Sequence, residues 1–310
     1  MKILLATDGS DNANAAIDFL QRFPFPEQCT LTLLSVIDGH IFVDATDVEL
    51  TPVQDEAVRE TQKMVREEAH HYLNSQAERI ARNDWEVETL VRAGNVAEEI
   101  VLAAEETGID LIIVGSHGRS AFRQFILGSV STKLLEYAPC SVLIVKDTAT
   151  GTTPASEDPD GSHPAAAAED WRILLAYDNS APASKALSLC ASLPLREQDE
   201  VIVVTVLTLI TAYRQDIRQQ MNSIWQQKMV RTRDALEAAT VKLRDSVPNV
   251  SSRLLEGSSS AHEILEAAAE ADSNLIMLGS KGKKAVQRFL LGSMTSHVAR
   301  HAPCSVWVIR

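Results

Sequence analysis

The chain is one unit written twice. Residues 111–145, LIIVGSHGRSAFRQFILGSVSTKLLEYAPCSVLIV, realign on residues 275–309, LIMLGSKGKKAVQRFLLGSMTSHVARHAPCSVWVI. Gly115, Gly118, Gly128 and Cys140 thereby recur as Gly279, Gly282, Gly292 and Cys304, each 164 positions later. The amino ends repeat too: KILLATDGS (2–10) matches RILLAYDNS (172–180), with Asp8 falling on Asp178 at an offset of 170. The second copy is therefore six residues shorter in its middle. A repeat of this length is a domain rather than a solenoid unit, and two such domains suit 310 residues at about 100–200 per domain. The expected division is domain one at 1–146, an acidic linker at 147–170 and domain two at 171–310. The linker, DTATGTTPASEDPDGSHPAAAAED, has no periodic apolar pattern and reads as solvated.

Charge is uneven along the chain. Of the net −13, residues 1–150 carry 12 basic and 24 acidic groups, 151–170 carry none and 5, and 171–310 carry 17 and 13. Duplex nucleic acid, which needs a dense basic face, is excluded as a partner; a compact anionic ligand is not. No apolar run approaches the ~20 residues of a membrane span, and Asp8 and Asp11 end the apolar start too early for a secretory h-region. The expected location is the cytoplasm. The four cysteines, Cys29, Cys140, Cys190 and Cys304, form no C-x-x-C pair and read as reduced packing residues.

Within each copy short β-rich runs alternate with helical patterns, which predicts βα units and a parallel sheet covered on both faces. Strands are expected near 2–7, 30–37, 86–92, 110–115 and 141–146, and again near 171–177, 200–207, 250–256, 274–279 and 304–309. Between the second and third strands of copy one, Val58, Val65 and Tyr72, and Leu73 and Ile80, recur at seven-residue spacing; copy two uses Ile217, Met221, Ile224, Met229, Leu236 and Leu243. Both stripes are expected to face the core, with Tyr72 and Trp225 packing.

The glycine tract carries the chemistry. Gly115 ends a strand, Gly118 follows, and Gly128 and Ser129 open a helix. Glycine permits positive φ and close approach of a ligand, and a helix N-terminus presents free N–H groups and the positive end of its dipole to an anion. Ser129 and Ser131, repeated as Ser293 and Thr295, add hydroxyls that can donate or cap. Asp8 sits where the first strand meets its helix, either as an N-cap or, if the sheet order reverses beside that strand, as an acceptor in the crevice where open α/β sheets bind ligands. There it would meet an adenine amino group or a ribose hydroxyl.

With these residues the chain resembles the universal stress proteins, in their tandem two-domain form. The family's G-x2-G-x9-G-[S/T] motif is met by Gly115, Gly118, Gly128 and Ser129, and by Gly279, Gly282, Gly292 and Ser293; the acidic signature of its first strand resembles Asp8-Gly9-Ser10 and, less fully, Asp178-Asn179-Ser180. The resemblance implies two Rossmann-like domains of the adenine nucleotide alpha hydrolase type, each an open five-stranded parallel sheet of order 3-2-1-4-5. It implies ATP as ligand, with ADP or AMP as alternatives and Mg²⁺ accompanying ATP. Asp8 and Asp178 would hold the nucleoside, the backbones of Val36 and Val206 the adenine, and the glycine loops the phosphates. Arg119, Val130, Ser131, Lys283, Met294 and Thr295 join the implied nucleotide-binding set. Family members associate through fifth strands, so the halves are expected to form a pseudo-dimer within one chain, with a homodimer as a further option.

The copies depart from each other in places. Asn179 replaces Gly9 but still tolerates left-handed geometry. Copy two has Lys281, Lys283, Lys284 and Arg288 around its loop where copy one has His117, Arg119 and Arg123, and the first site is expected to be the more faithful one. No P-loop, dinucleotide fingerprint or adenylating S-G-G-x-D-S loop occurs. Asp8, Asp11 and Asp38 are candidate Mg²⁺ ligands but also ordinary helix-start acids, and His297 with His301, His70-His71 and His262-Glu263 are weak metal candidates. The leading reading is a nucleotide-dependent stress regulator without rapid turnover. Slow Mg²⁺-dependent ATP hydrolysis and a nucleotide-independent protein scaffold remain open beside it.

Overall fold

A computed structural model describes residues 1–39, 52–80, 85–118, 127–146, 170–208, 215–282 and 291–310, leaving out the side chains of 52–55 and 215–223. Of the proposed linker at 147–170, residues 147–169 lie outside the described residues. Contacts gather into two units, Met1–Val145 with Arg310, and Lys146–Ile309.

The first unit alternates β1 (Lys2–Ala6), α1 (Asp11–Arg22), β2 (Thr30–Asp38), α2 (Pro52–Ile80), β3 (Glu86–Gly94), α3 (Val96–Thr107), β4 (Leu111–Gly115), α4 (Ser129–Tyr137) and β5 (Ser141–Val145). The second repeats this as β6 (Arg172–Ala176), α5 (Ala181–Ala191), β7 (Glu200–Thr208), α6 (Gln215–Arg244), β8 (Val250–Gly257), α7 (Ser260–Glu270), β9 (Leu275–Gly279), α8 (Ser293–His301) and β10 (Ser305–Ile309). Strand order is β3-β2-β1-β4-β5 in the one and β8-β7-β6-β9-β10 in the other. All pairings within each unit are parallel. The order 3-2-1-4-5 expected from the resemblance is therefore present twice. Ile3, Leu4, Leu5 and Ile112, Ile113 are fully buried in consecutive positions, as strands covered on both faces require.

Four of the six helices with a described N-cap start on a side-chain cap. Ser10 accepts the Ala13 N–H, Asn95 the Glu98 N–H, Ser180 the Ala183 N–H and Ser259 the His262 N–H. All four cysteines are buried and none forms a disulfide, as expected of packing thiols. Burial pushes the Cys140 thiol up to about 11 and those of Cys190 and Cys304 to about 12.

The long helices correct one expectation. Leu73, Ile80, Leu236 and Leu243 are buried as predicted. Val58, Val65 and Tyr72 are only half-buried, as is Met229, and Ile224 is 63 % exposed. The side chains of Ile217 and Met221 lie outside the described residues. The physical reason is length: α2 has 29 residues, about 44 Å at 1.5 Å per residue. The nine residues of β2 span only about 30 Å. The N-terminal part of the helix therefore has no sheet beneath it, and a seven-residue spacing can continue without a core to fill.

Candidate nucleotide site

The reversal of strand order falls between β1 and β4 and between β6 and β9. At the carboxyl ends of those strands lies a crevice, of about 720 Å³ in the first unit and about 520 Å³ in the second. Both volumes fall in the range of small-molecule sites. Asp8, Val36, Gly115, Gly118, Gly128, Ser129, Val130 and Ser131 all line the first. Asp178, Val206, Gly279, Gly282, Gly292, Ser293, Met294 and Thr295 all line the second. Arg119 and Lys283, with Arg123, Lys284 and Arg288, lie outside the described residues.

Asp8 is not the N-cap; Ser10 is. The aspartate instead closes a turn, its Oδ1 accepting the Ser10 N–H at 3.0 Å, and Asp178 does the same for Ser180 at 3.0 Å. The turn needs left-handed backbone at the next residue, where Gly9 has φ 74° and Asn179 φ 60°. The other carboxylate oxygen of each aspartate faces the glycine loop: a Cβ on Gly118 would lie 2.9 Å from Asp8 Oδ2, and one on Gly282 3.0 Å from Asp178 Oδ2.

The loop glycines are needed for closeness and not for positive φ, which corrects the reading from sequence. Positive φ among the glycines is confined to Gly9, Gly94 and Gly108 in the described residues. A Cβ on Gly115 would stand 2.6 Å from the Asn12 carbonyl oxygen of α1, and one on Gly279 2.8 Å from Pro182 Cβ and 2.9 Å from the Ala183 nitrogen of α5. These two glycines let a helix lie against the strand end. Gly118 and Gly282 instead leave room between loop and aspartate.

The serines and threonine divide similarly. Ser131 and Thr295 are buried, and their hydroxyls donate to the Gly115 and Gly279 carbonyls at 2.9 Å in each case. They tie the helix to the strand instead of offering a donor to a ligand. Ser129 and Ser293 are exposed in the first turn. The caps of α4 and α8 are Gly128 and Gly292, which supply no side-chain hydrogen bond. Unlike α1, α3, α5 and α7, these two helices present their first N–H groups to the crevice without a side-chain acceptor from the cap residue.

At the opposite wall the register leaves a backbone edge open among the described residues. Thr30 donates to the Met1 carbonyl and Leu34 accepts from Thr7, so even-numbered residues of β2 turn their amide groups toward β1. The next in that series is Val36, beyond Ala6 where β1 ends. In the second unit Glu200 donates to Trp171, Val204 accepts from Tyr177, and Val206 follows past the end of β6. One N–H and one C=O thus face each crevice.

Tyr72, expected only to pack, lines the first crevice with Val65 and Glu68. Its hydroxyl lies 3.1 Å from Thr7 Oγ1 and donates to Asn14 Oδ1 at 3.4 Å. In the second unit the phenol comes from the strand: Tyr177, at the position of Thr7, donates to Asn179 Oδ1 at 3.0 Å. The signal was the Thr-to-Tyr difference between the repeats, which has no meaning until the helix and strand are side by side. His117 Nδ1 sits 3.1 Å from Ser116 Oγ. Asp38 lines the first crevice, whereas Asp11 sits in the first turn of α1. The rings of His297 and His301 are 4.3 Å apart. Among the described residues no three His, Cys, Asp or Glu side chains gather to hold a metal ion. Nor is any described helix long and apolar enough to cross a membrane.

Comparison with known proteins bears on the family and the fold. The model of the Universal stress protein family matches residues 1–146 and 171–310. A universal stress protein of Mycolicibacterium smegmatis is 26 % identical over 319 aligned residues, covering 99 % of this chain and 96 % of its own. One from Bacillus subtilis is 32 % identical over 145 residues, 47 % of this chain and 98 % of its own. The crystal structure of a universal stress protein from Archaeoglobus fulgidus shares the fold with a TM-score of 0.57 at 22 % identity, covering 100 % of this chain and 96 % of that one.

Proposed function

The chain belongs to the universal stress protein family, and from that premise we propose that each crevice binds an adenine nucleotide, ATP foremost, whose occupancy sets conformation or association in a stress response. The observation that carries this reading is the pairing of two features at opposite ends of one crevice. At one end a helix starts on a glycine with no side-chain cap, so its N–H groups and dipole favour a phosphate. At the other, the N–H and C=O of Val36 or Val206 offer a donor and an acceptor side by side. That pair matches the ring nitrogen and amino group on the edge of adenine, and Asp8 or Asp178 between them suits a ribose hydroxyl.

Bound ATP would supply a polyanionic tail bridging loop and helix. The chain's own contribution is to orient it: the Ser131 and Thr295 bonds fix α4 and α8 against their strands, so the N–H groups need no reorganisation when the ligand arrives. The sequence lacks the usual phosphoryl-transfer motifs, which supports a sensor over a fast enzyme.

Calorimetric titration of nucleotide-stripped protein with Mg²⁺-ATP tests this, using the whole chain and the variants Gly118→Val and Gly282→Val. These glycines face a carboxylate, so the added side chain fills the ligand's space without striking a helix. Two sites in the parent and one in each variant are expected. No binding in the parent removes the proposal and leaves the scaffold reading. Phosphate release faster than about 1 s⁻¹ would move the chain among ordinary enzymes.

A further inference from the structure

Resting on that reading, we infer that the two crevices accept adenine nucleotides of different charge: the second takes free ATP as a polyanion, whereas the first takes AMP, or ATP only when a divalent cation has reduced its charge. Three differences between the repeats carry this. Asp38, at the end of β2, lines the first crevice, and its counterpart 170 positions later is Thr208, which lines the second. Glu68 of α2 lines the first crevice, and no described side chain of α6 lines the second. His117 in the first loop becomes Lys281 in the second, again a lining residue in each case.

Asp8 and Asp178 are common to both and cancel from the comparison. With histidine neutral, the described lining of the first crevice sums to three negative charges from Asp8, Asp38 and Glu68. The described lining of the second sums to zero, from Asp178 and Lys281. A volume of about 720 Å³ is roughly 9 Å on a side, so every charge on its wall lies within about one Debye length of a ligand inside. Asp38 and Glu68 are both exposed on that wall, so water and salt screen part of their repulsion and its effect is largest at low ionic strength. The cradle at the start of α4 favours a phosphate. Each further anionic phosphate group, however, adds repulsion from the carboxylates that the second crevice does not impose.

The repeats thus keep the recognition groups for base and ribose and change the charge around them. Such a chain would respond to two quantities, total adenine nucleotide of low charge and triphosphate, through two copies of one fold.

The test is titration of the full chain with ATP and with AMP, each in EDTA and in excess Mg²⁺. Gly282→Val leaves the first site to be read alone and Gly118→Val the second, with unchanged unfolding midpoints showing that both variants are folded. At the first site AMP is expected to bind about tenfold tighter than ATP in EDTA, and Mg²⁺ to recover about tenfold for ATP. At the second site ATP is expected to bind tighter than AMP in EDTA, and Lys281→Ala to lessen that preference. Asp38→Asn with Glu68→Gln should raise the affinity of the first site for free ATP by about tenfold. An ATP-to-AMP ratio equal at the two sites, or unmoved by neutralising Asp38 and Glu68, overturns this inference and leaves nucleotide binding standing. Failure of both nucleotides to bind the parent chain overturns the nucleotide reading itself.

Discussion

Position 29 and position 199 occupy the same place in the two units, just before β2 and β7, and they solve the same problem differently. In the first unit Cys29 is buried and its thiol donates to the Pro26 carbonyl at 3.0 Å. In the second Asp199 is fully buried and gathers the Trp171 N–H at 2.9 Å, the Arg196 N–H at 2.7 Å and the Arg196 guanidinium at 2.8 Å. Burial alone would raise the Asp199 carboxyl, but the bonds from Arg196 and Trp171 overcome it and hold the pKa below the usual carboxylate range. A repeated frame therefore tolerates a thiol or a carboxylate at one point, provided the carboxylate brings its donors with it. The crevices follow the same rule in reverse: what lies beneath the strand ends is kept, and what lines the wall is free to differ.

The comparison breaks most sharply at the glycines that are packed. Gly115→Val and Gly279→Val are expected to lower stability by about 3 kcal/mol or more, because the new side chain meets α1 or α5 at 2.6–2.8 Å. Thermal unfolding followed by circular dichroism should show a large loss for each. Equal midpoints for Gly115→Val and Gly118→Val would contradict the division of roles between loop glycines.

Next in size is Asp199→Ala, expected to cost about 2–3 kcal/mol as several hydrogen bonds to a charged group are lost. Cys29→Ala should cost about 1 kcal/mol. The difference has a pH signature. The folded pKa of Asp199 is depressed, so its stabilisation is complete above the unfolded value of about 3.9 and is lost as pH falls through the folded one. Acid titration of stability should therefore flatten in Asp199→Asn below about pH 4. An unaltered acid limb in that variant would show that the carboxylate is not the group responsible.

Smaller again is Tyr72→Phe, which removes the hydroxyl between Thr7 and Asn14 and should cost about 1 kcal/mol. Tyr177→Phe loses the bond to Asn179 and should cost a similar amount. The smallest effect is expected for Asn179→Gly. Relief of φ 60° is offset by loss of the Tyr177 bond, leaving a net change of a few tenths of a kcal/mol. Denaturant midpoints resolve the ordering, and a large destabilisation in Asn179→Gly would show that the side chain matters more than the turn.

Thiol reactivity offers an independent check on both units. With Cys140, Cys190 and Cys304 pushed to about 11 or 12 by burial, a thiol reagent at pH 8 should label them only on unfolding. Rapid labelling of any of the three in the folded protein would contradict their packing role.

Much of this was legible in the residues. The 164- and 170-residue offsets exposed two copies, and alternation of β-rich and helical runs located all ten strands to within a residue or two. These are local properties, set by backbone sterics and by which face of a segment is apolar. The site residues were legible only as a set. That Asp8 caps a turn and not a helix depends on where Ser10 falls, and one residue of register decides it.

What the sequence determined by itself was the duplicated α/β frame, the parallel strands and the positions of the glycine loops, since each follows from periodicity and repetition along the chain. Tertiary structure alone decided which glycine serves packing and which leaves space, because that depends on atoms of α1 and α5 about a hundred residues away. It also decided that Tyr72 and Glu68 stand on a crevice wall, since a seven-residue stripe states which face residues share but not how far the sheet extends beneath it. Finally, it was the register of β1 against β2 that carried Val36 past the last strand pair, turning an ordinary strand residue into an open donor and acceptor.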